Sequence, residues 1–216
     1  GSWVYAVGNT LLENGTAIWV NANRIDSTLY GNTFTNNTRN YIAVNGGGNL
    51  RLSVADKVYD WLKDGAPYVL DDNLIVYEDG GNELPPILNI QSGVTLKFPK
   101  DKYLQIGTAN QNDVGALRAK GVTFTVTDTT SASYWAGIDF YRGSVADSTI
   151  LDSNIIEYAV RGVEIHNDDH RPYIYNNTIR YCGDYGIYGN NGSWVYAVGN
   201  TLLENGTAIW VNANRI

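Results

Sequence analysis

From Glu164 to Pro172 the chain reads EIHNDDHRP, and this stretch holds both of its histidines. His166, Asp168, Asp169 and His170 are cation-ligand types, since imidazole suits transition metals and carboxylate oxygen suits calcium. An i, i+4 pair of histidines would converge on a helix, but this run is polar and ends at Pro172. It therefore reads as a solvated turn. No resident cofactor is expected, and calcium is the ion to test against that expectation. Two other residue sets could do chemistry. Asp139 and Glu164 form a carboxylate pair, which serves glycoside hydrolysis only when the fold holds the two groups a few ångströms apart. Tyr188 and Trp210, with Trp19, are aromatic rings that can stack on a sugar or a partner, or simply pair across strands.

Composition narrows the setting. The chain has 216 residues, a net charge of −7, 15 Lys and Arg against 22 Asp and Glu, and no Met. Its basic residues are scattered, which argues against a nucleic-acid surface. There is no 18-residue apolar run, so this segment is not expected to contact a membrane. A single cysteine, Cys182, provides neither a disulfide framework nor a metal knuckle. Glycosylation sequons fall at Asn14, its duplicate Asn205, Asn36, Asn176 and Asn191.

What must position these side chains is a repeat. Residues 1–25, GSWVYAVGNTLLENGTAIWVNANRI, recur at 192–216 without a substitution. A cloned duplication would do this. So would a window cut from a tandem array whose unit runs from Gly1 through Asn191, and that is the expectation here. The missing Met fits a piece of a longer chain. Residues 1–216 then form one segment, a full unit plus the start of the next. The two copies should lie at opposite ends of one rod, related by translation with a modest twist.

A shorter period lies inside the long one. Asn154, Asn177 and Asn200 are 23 apart, as are Asn9 and Asn32. Each precedes a short alternating run, and about ten residues later comes another: GVEI, GIYG, AIWV and YIAV. Strands this short, punctuated by Gly, Asn and Asp, suit stacked solenoid coils of about 23 residues, with roughly eight coils per unit. In-register asparagines can bond coil to coil, so Asn9, Asn32, Asn154, Asn177 and Asn200 should form a ladder. A second ladder would join Asn190, Asn212, Asn21 and Asn45, with His166 as a rung. Tyr158 with Tyr181, and Tyr173 with Tyr196, share the 23-residue spacing. In VADKVYDWLKDG, Val54, Val58, Trp61 and Leu62 fall at helical spacing, so a short helix is expected there.

The coils resemble right-handed parallel β-helix repeats, the architecture of pectate lyases and of many large bacterial and archaeal surface proteins. PYVLDDNLIVYEDGGNELPPILNIQSGVTLKFPKDKYLQIG, followed by GALRAKGVTFTV and YWAGIDF, looks like the surface-protein branch. The resemblance implies an all-β, right-handed parallel β-helix of eight or nine coils. Enzymes of this fold place carboxylates and basic residues on one outer face. Here the corresponding outward positions would be Asp139, Glu164, Tyr188, Trp210 or Trp19, and Ala43, with no Arg or Lys among them. Of the lyase strings, Gly-His-Gly is missing, and the Asp pairs in VLDDNL and HNDDHR are expected in or beside turns.

The expectation is therefore a non-catalytic structural segment of an extracellular or cell-surface filament protein. Its partners would be neighbouring copies, end to end. The alternatives are a polysaccharide-binding adhesin module using the Tyr188 and Trp210 face, and a polysaccharide lyase or hydrolase.

Overall fold

A computed structural model describes residues 4–45, 50–79, 84–129, 133–166, 172–190 and 192–212. Its strands are two to six residues long, and none could bury an apolar face alone. They are stacked in parallel so that each finds its equivalent in the next coil. A first face has six strands, from Val58–Trp61 to Tyr196–Val198. A second has eight, from Thr16–Val20 to Thr201–Leu203. A third has seven, from Leu50–Leu52 to Thr207–Val211. The pairings are parallel apart from a short flap in which Glu78–Asp79 meets Asp113–Val114.

The corners explain the 23-residue period. Ser153, Asn176 and Gly199 have positive φ and sit 23 apart, as do Gly8 and Gly31. Each immediately precedes a ladder asparagine. A second set, Tyr158, Tyr181 and Glu204, together with Glu13 and Asn36, makes the next corner five positions further on. One left-handed residue turns the chain sharply between strands. The next residue then points along the corner, where its side chain can bond the adjacent coil.

Inward positions repeat as columns. Ile138, Val163 and Ile187 lie in register on the third face and are fully buried. Each such side chain contributes roughly 1.5–3 kcal/mol through burial. Where coils lengthen, aromatics fill the wider section. Phe98 and Trp135 stack at 4.6 Å, and the Trp135 indole donates to the Glu157 carbonyl at 2.9 Å.

The expected helix at 54–65 is a strand instead. Val58–Trp61 pairs in parallel with Ile87–Ile90, burying Tyr59 and Trp61 and turning Val58 outward. Backbone pairing to the next coil overrides a helical spacing carried by only four residues.

Coil length also departs from expectation. Ile150 pairs with Tyr173 and Tyr173 with Tyr196, so these coils keep the short period. Further in, Val58 to Ile87 and Ile87 to Ala116 are steps of 29, and Arg118 to Ile150 is 32. Along the eight-stranded face, Thr16–Val20 to Thr201–Leu203 spans seven steps, and Thr207–Val211 lies one face further on. From Thr16 to its duplicate Thr207 the chain therefore makes a little over seven turns, short of eight.

The two identical segments occupy opposite ends of the stack. Thr10–Leu12 and Thr16–Val20 match Thr201–Leu203 and Thr207–Val211 in their bounds. Their sheets differ. Thr16–Val20 belongs to the second face, whereas Thr207–Val211 ends the third. The first two coils have an extra two-stranded side, Thr10–Leu12 with Thr33–Thr35, which displaces the following strand by one face. A simple translation with modest twist therefore does not relate the copies.

Candidate functional site

The corner asparagines hold the coils in register. Asn154 donates its backbone N–H and its amide to Asn177 Oδ1, both at 2.9 Å. Asn177 does the same to Asn200 Oδ1 at 2.9 and 3.0 Å, and its amide also donates to the Leu151 carbonyl. Asn154 and Asn177 are buried, so each unmade bond would cost a desolvation penalty. At the other end Asn9 donates to Asn32 Oδ1, and Asn32 donates to the Asp64 carboxylate. The five asparagines form two runs on one corner column, with the intervening coils bridged by other groups such as Asp64 and Gln91.

A second corner ladder accompanies the expected one. Asn14 donates twice to Asn37 Oδ1, at 2.8 and 2.9 Å. At the far end Asn205 Oδ1 accepts from the Cys182 backbone and its amide donates to the Ile179 carbonyl. Its sequence signal is partial, because Asn14 and Asn37 are 23 apart but Cys182 and Ala159 stand where the period calls for asparagine. Cys182 is buried on this rung, and burial pushes its thiol from 9.0 up to about 11. Asn14 and Asn205 are thus ladder residues as well as sequons. Asn36 and Asn176 are exposed at left-handed corners, and Asn191 lies outside the described residues.

The third face carries the reactive set. Asp139, Glu164, Tyr188 and Trp210 are consecutive cross-strand partners in register. Alternation turns them outward while Val163 and Ile165 fill the core. Tyr188 stacks on Trp210 at 4.7 Å and 21°, and Tyr185 leans on Tyr188 at 4.8 Å. The Arg161 guanidinium lies over the Tyr188 ring at 4.6 Å and donates to Glu164 Oε2 at 2.6 Å. No basic residue stands in the rung itself, but Arg161 reaches it from three residues back along the strand. Tyr103 and Tyr141 border the acidic pair. Their phenols are raised above the usual tyrosine range by burial first and by the Asp139 charge second.

Trp19 does not join this face. It is 69% exposed on the second face, beside Ala43, and lines an open depression with Tyr41 and Val69. The extra side in the first two coils moves it there. The outward set is thus Asp139, Glu164, Tyr188 and Trp210, without Trp19 or Ala43.

His166 is in register with Asn190. Its ring stacks on Tyr141 at 4.2 Å and 11°, and its Nε2 faces Glu164 and Asp139. Asp168, Asp169 and His170, the rest of the expected cation cluster, lie outside the described residues. Tyr158 stacks on Tyr181 at 5.2 Å, while Tyr173 and Tyr196 meet edge to face. Among the described residues, no helix is long and apolar enough to cross a membrane.

No curated protein and no solved structure matches the chain. Residues 108–216 match the family model described as a right handed beta helix region. This range holds the Asn154–Asn177–Asn200 ladder and makes up half of the sequence. The chain belongs to the right-handed β-helix family.

Proposed function

We propose that the chain is a structural segment of an extracellular or cell-surface filament protein, whose units join end to end by continuing the β-helix. One observation supports this most. The 25-residue segment has a partner on one side in its first copy and on the other side in its second. In the first copy, Ala6, Thr10 and Ile18 pair with Leu29, Thr33 and Ile42. In the second, Tyr196, Thr201 and Ile209 pair with Tyr173, Thr178 and Ile187. Taken strand by strand, the two sets of partners would together flank the segment on both sides. The end of the chain has the apolar character such a joint needs. Ile209 is 45% exposed, although its column partner Ile187 is fully buried. The next unit's residues from Asp26 onward would cover it. An open solenoid end is otherwise an aggregation hazard.

The experiment is a comparison of one-unit and two-unit chains by thermal unfolding. Joined units should raise the melting temperature and unfold together, because the internal joint gains one coil interface. Two independent transitions at the one-unit temperature would reject the reading.

A second reading has its own observation, the stacked Tyr188 and Trp210 beside two carboxylates. Such a strip can hold a polysaccharide, giving an adhesin module. Binding on a glycan array that Trp210→Ala removes would favour it over a purely structural role.

A further inference from the structure

The geometry points to a divalent transition-metal site on the third face, formed by Asp139, Glu164 and His166, with zinc or manganese as the ion. Asp139 and Glu164 are cross-strand neighbours, and His166 is two residues beyond Glu164 on the same face. One ligand atom from each lies within 4.8 Å of the others. His166 Nε2 is 3.4 Å from Glu164 Oε1 and 3.9 Å from Asp139 Oδ1.

Two independent features set this apart from a chance acidic cluster. The first is an unmet need. Glu164 is 5% exposed, and its Oε1 is buried with no hydrogen-bond partner. His166 Nε2 is buried and without a hydrogen bond as well. An acceptor of this kind should not be left bare in the native state. A direct charge-assisted bond between the two would close to about 2.7–2.9 Å, so the observed 3.4 Å is too long for one. It does suit two ligands of one ion, because metal bonds of about 2.0–2.2 Å place tetrahedral ligands about 3.3–3.6 Å apart.

The second feature is how the ligands are held. Arg161 binds the other oxygen of Glu164 at 2.6 Å, leaving Oε1 facing the imidazole. The Tyr141 ring lies parallel to His166 and fixes its plane. Supporting contacts like these orient the ligands of built metal sites. One imidazole with two carboxylates favours zinc or manganese over calcium, which prefers six to eight oxygens. Three protein ligands leave at least one position for water or an oxygen of a bound molecule. The ion would tie the coil of Asp139 to the coil of Glu164 and His166. This inference does not depend on end-to-end assembly.

The test uses the full 216-residue chain after chelator treatment, titrated with zinc chloride and separately with manganese chloride by calorimetry, with melting followed in parallel. One equivalent should bind with a Kd of about 10 µM or tighter and raise the melting temperature. D139N, E164Q and H166Q should each weaken binding more than about tenfold, while H170A should not. Metal-free melting and circular dichroism of each variant show whether it has folded. E164Q preserves shape, so it keeps the test sharp if H166Q does not fold. Three results would overturn the proposal: no binding by wild type at about 100 µM of either ion, binding that survives E164Q and D139N, or binding lost in H170A alone. The last would move the ion to the neighbouring HNDDH stretch.

Discussion

Asn9 and Asn200 are the same residue of one repeated segment, and they end two runs of the corner ladder with complementary bonds. Asn9 donates its backbone N–H and amide to Asn32 Oδ1, both at 3.0 Å. Asn200 accepts the same pair of bonds from Asn177 and donates its amide to the Ile174 carbonyl. Asn14 and Asn205 repeat the arrangement on the next corner. In a continued array each of these amides would be satisfied above and below.

Asn177→Ala should destabilise the stack by roughly 1–3 kcal/mol, because Asn154 loses a buried acceptor and the Leu151 carbonyl loses its donor. Chemical denaturation measures this. A change within about 0.5 kcal/mol would mean that the amide is only a turn residue. Asn36→Gly is the matched control. Asn36 sits at a left-handed corner with φ of 52°, so glycine relieves backbone strain where alanine would add it.

Gly137→Ala should be far more damaging than Gly199→Ala. A methyl at Gly137 would meet the Arg161 carbonyl at 1.8 Å, where backbone must move, and φ there is +131°. A cost of about 3 kcal/mol or more is expected. At Gly199 the nearest obstacle is the Asn176 side chain, which can swing away, so roughly 1–2 kcal/mol of left-handed strain remains. Equal melting temperatures for the two variants would contradict the close approach of the Asp139 and Glu164 strands.

Cys182 should resist thiol reagents near neutral pH until the chain unfolds. Its thiol titrates near 11 in the folded state against 9.0 when free. The raised value means the folded state keeps the proton longer. The contribution is complete below pH 9 and is lost as pH rises toward 11. On the order of 2–3 kcal/mol should disappear across that window. Urea titrations of wild type and Cys182→Ser at about pH 8 and about pH 10.5 would check it. Wild type should lose more stability than the variant, and equal losses would refute the assignment.

The fold was legible because its corners repeat in sequence. A Ser, Asn or Gly, then an Asn, then an apolar alternation recurs every 23 residues, and it marks Asn154, Asn177 and Asn200 without any structure. The second corner is hidden because Cys182 and Ala159 take asparagine positions, and a backbone N–H fills the rung at Cys182 where an amide would. Val58–Trp61 carries a helical spacing, and the partner that makes it a strand, Ile87–Ile90, belongs to the next coil and is invisible locally. Trp19 falls on a different face from the expected one because an extra side in the first two coils cannot be counted from spacing. The Asp139–Glu164 pairing could be placed by register, but the meeting of His166 and Arg161 with it could not. It depends on side-chain directions along one strand.

The central claim is that the unit continues itself, and the length of joined units tests it most directly. A little over seven turns at a strand spacing of about 4.8 Å advance the helix by about 35 Å. Small-angle scattering from chains of one, two and three units should show the maximum dimension growing by about 35 Å per unit, with a constant rod cross-section. Growth that falls short of this with a thickening cross-section, or a flexible string of separate particles, would contradict the account.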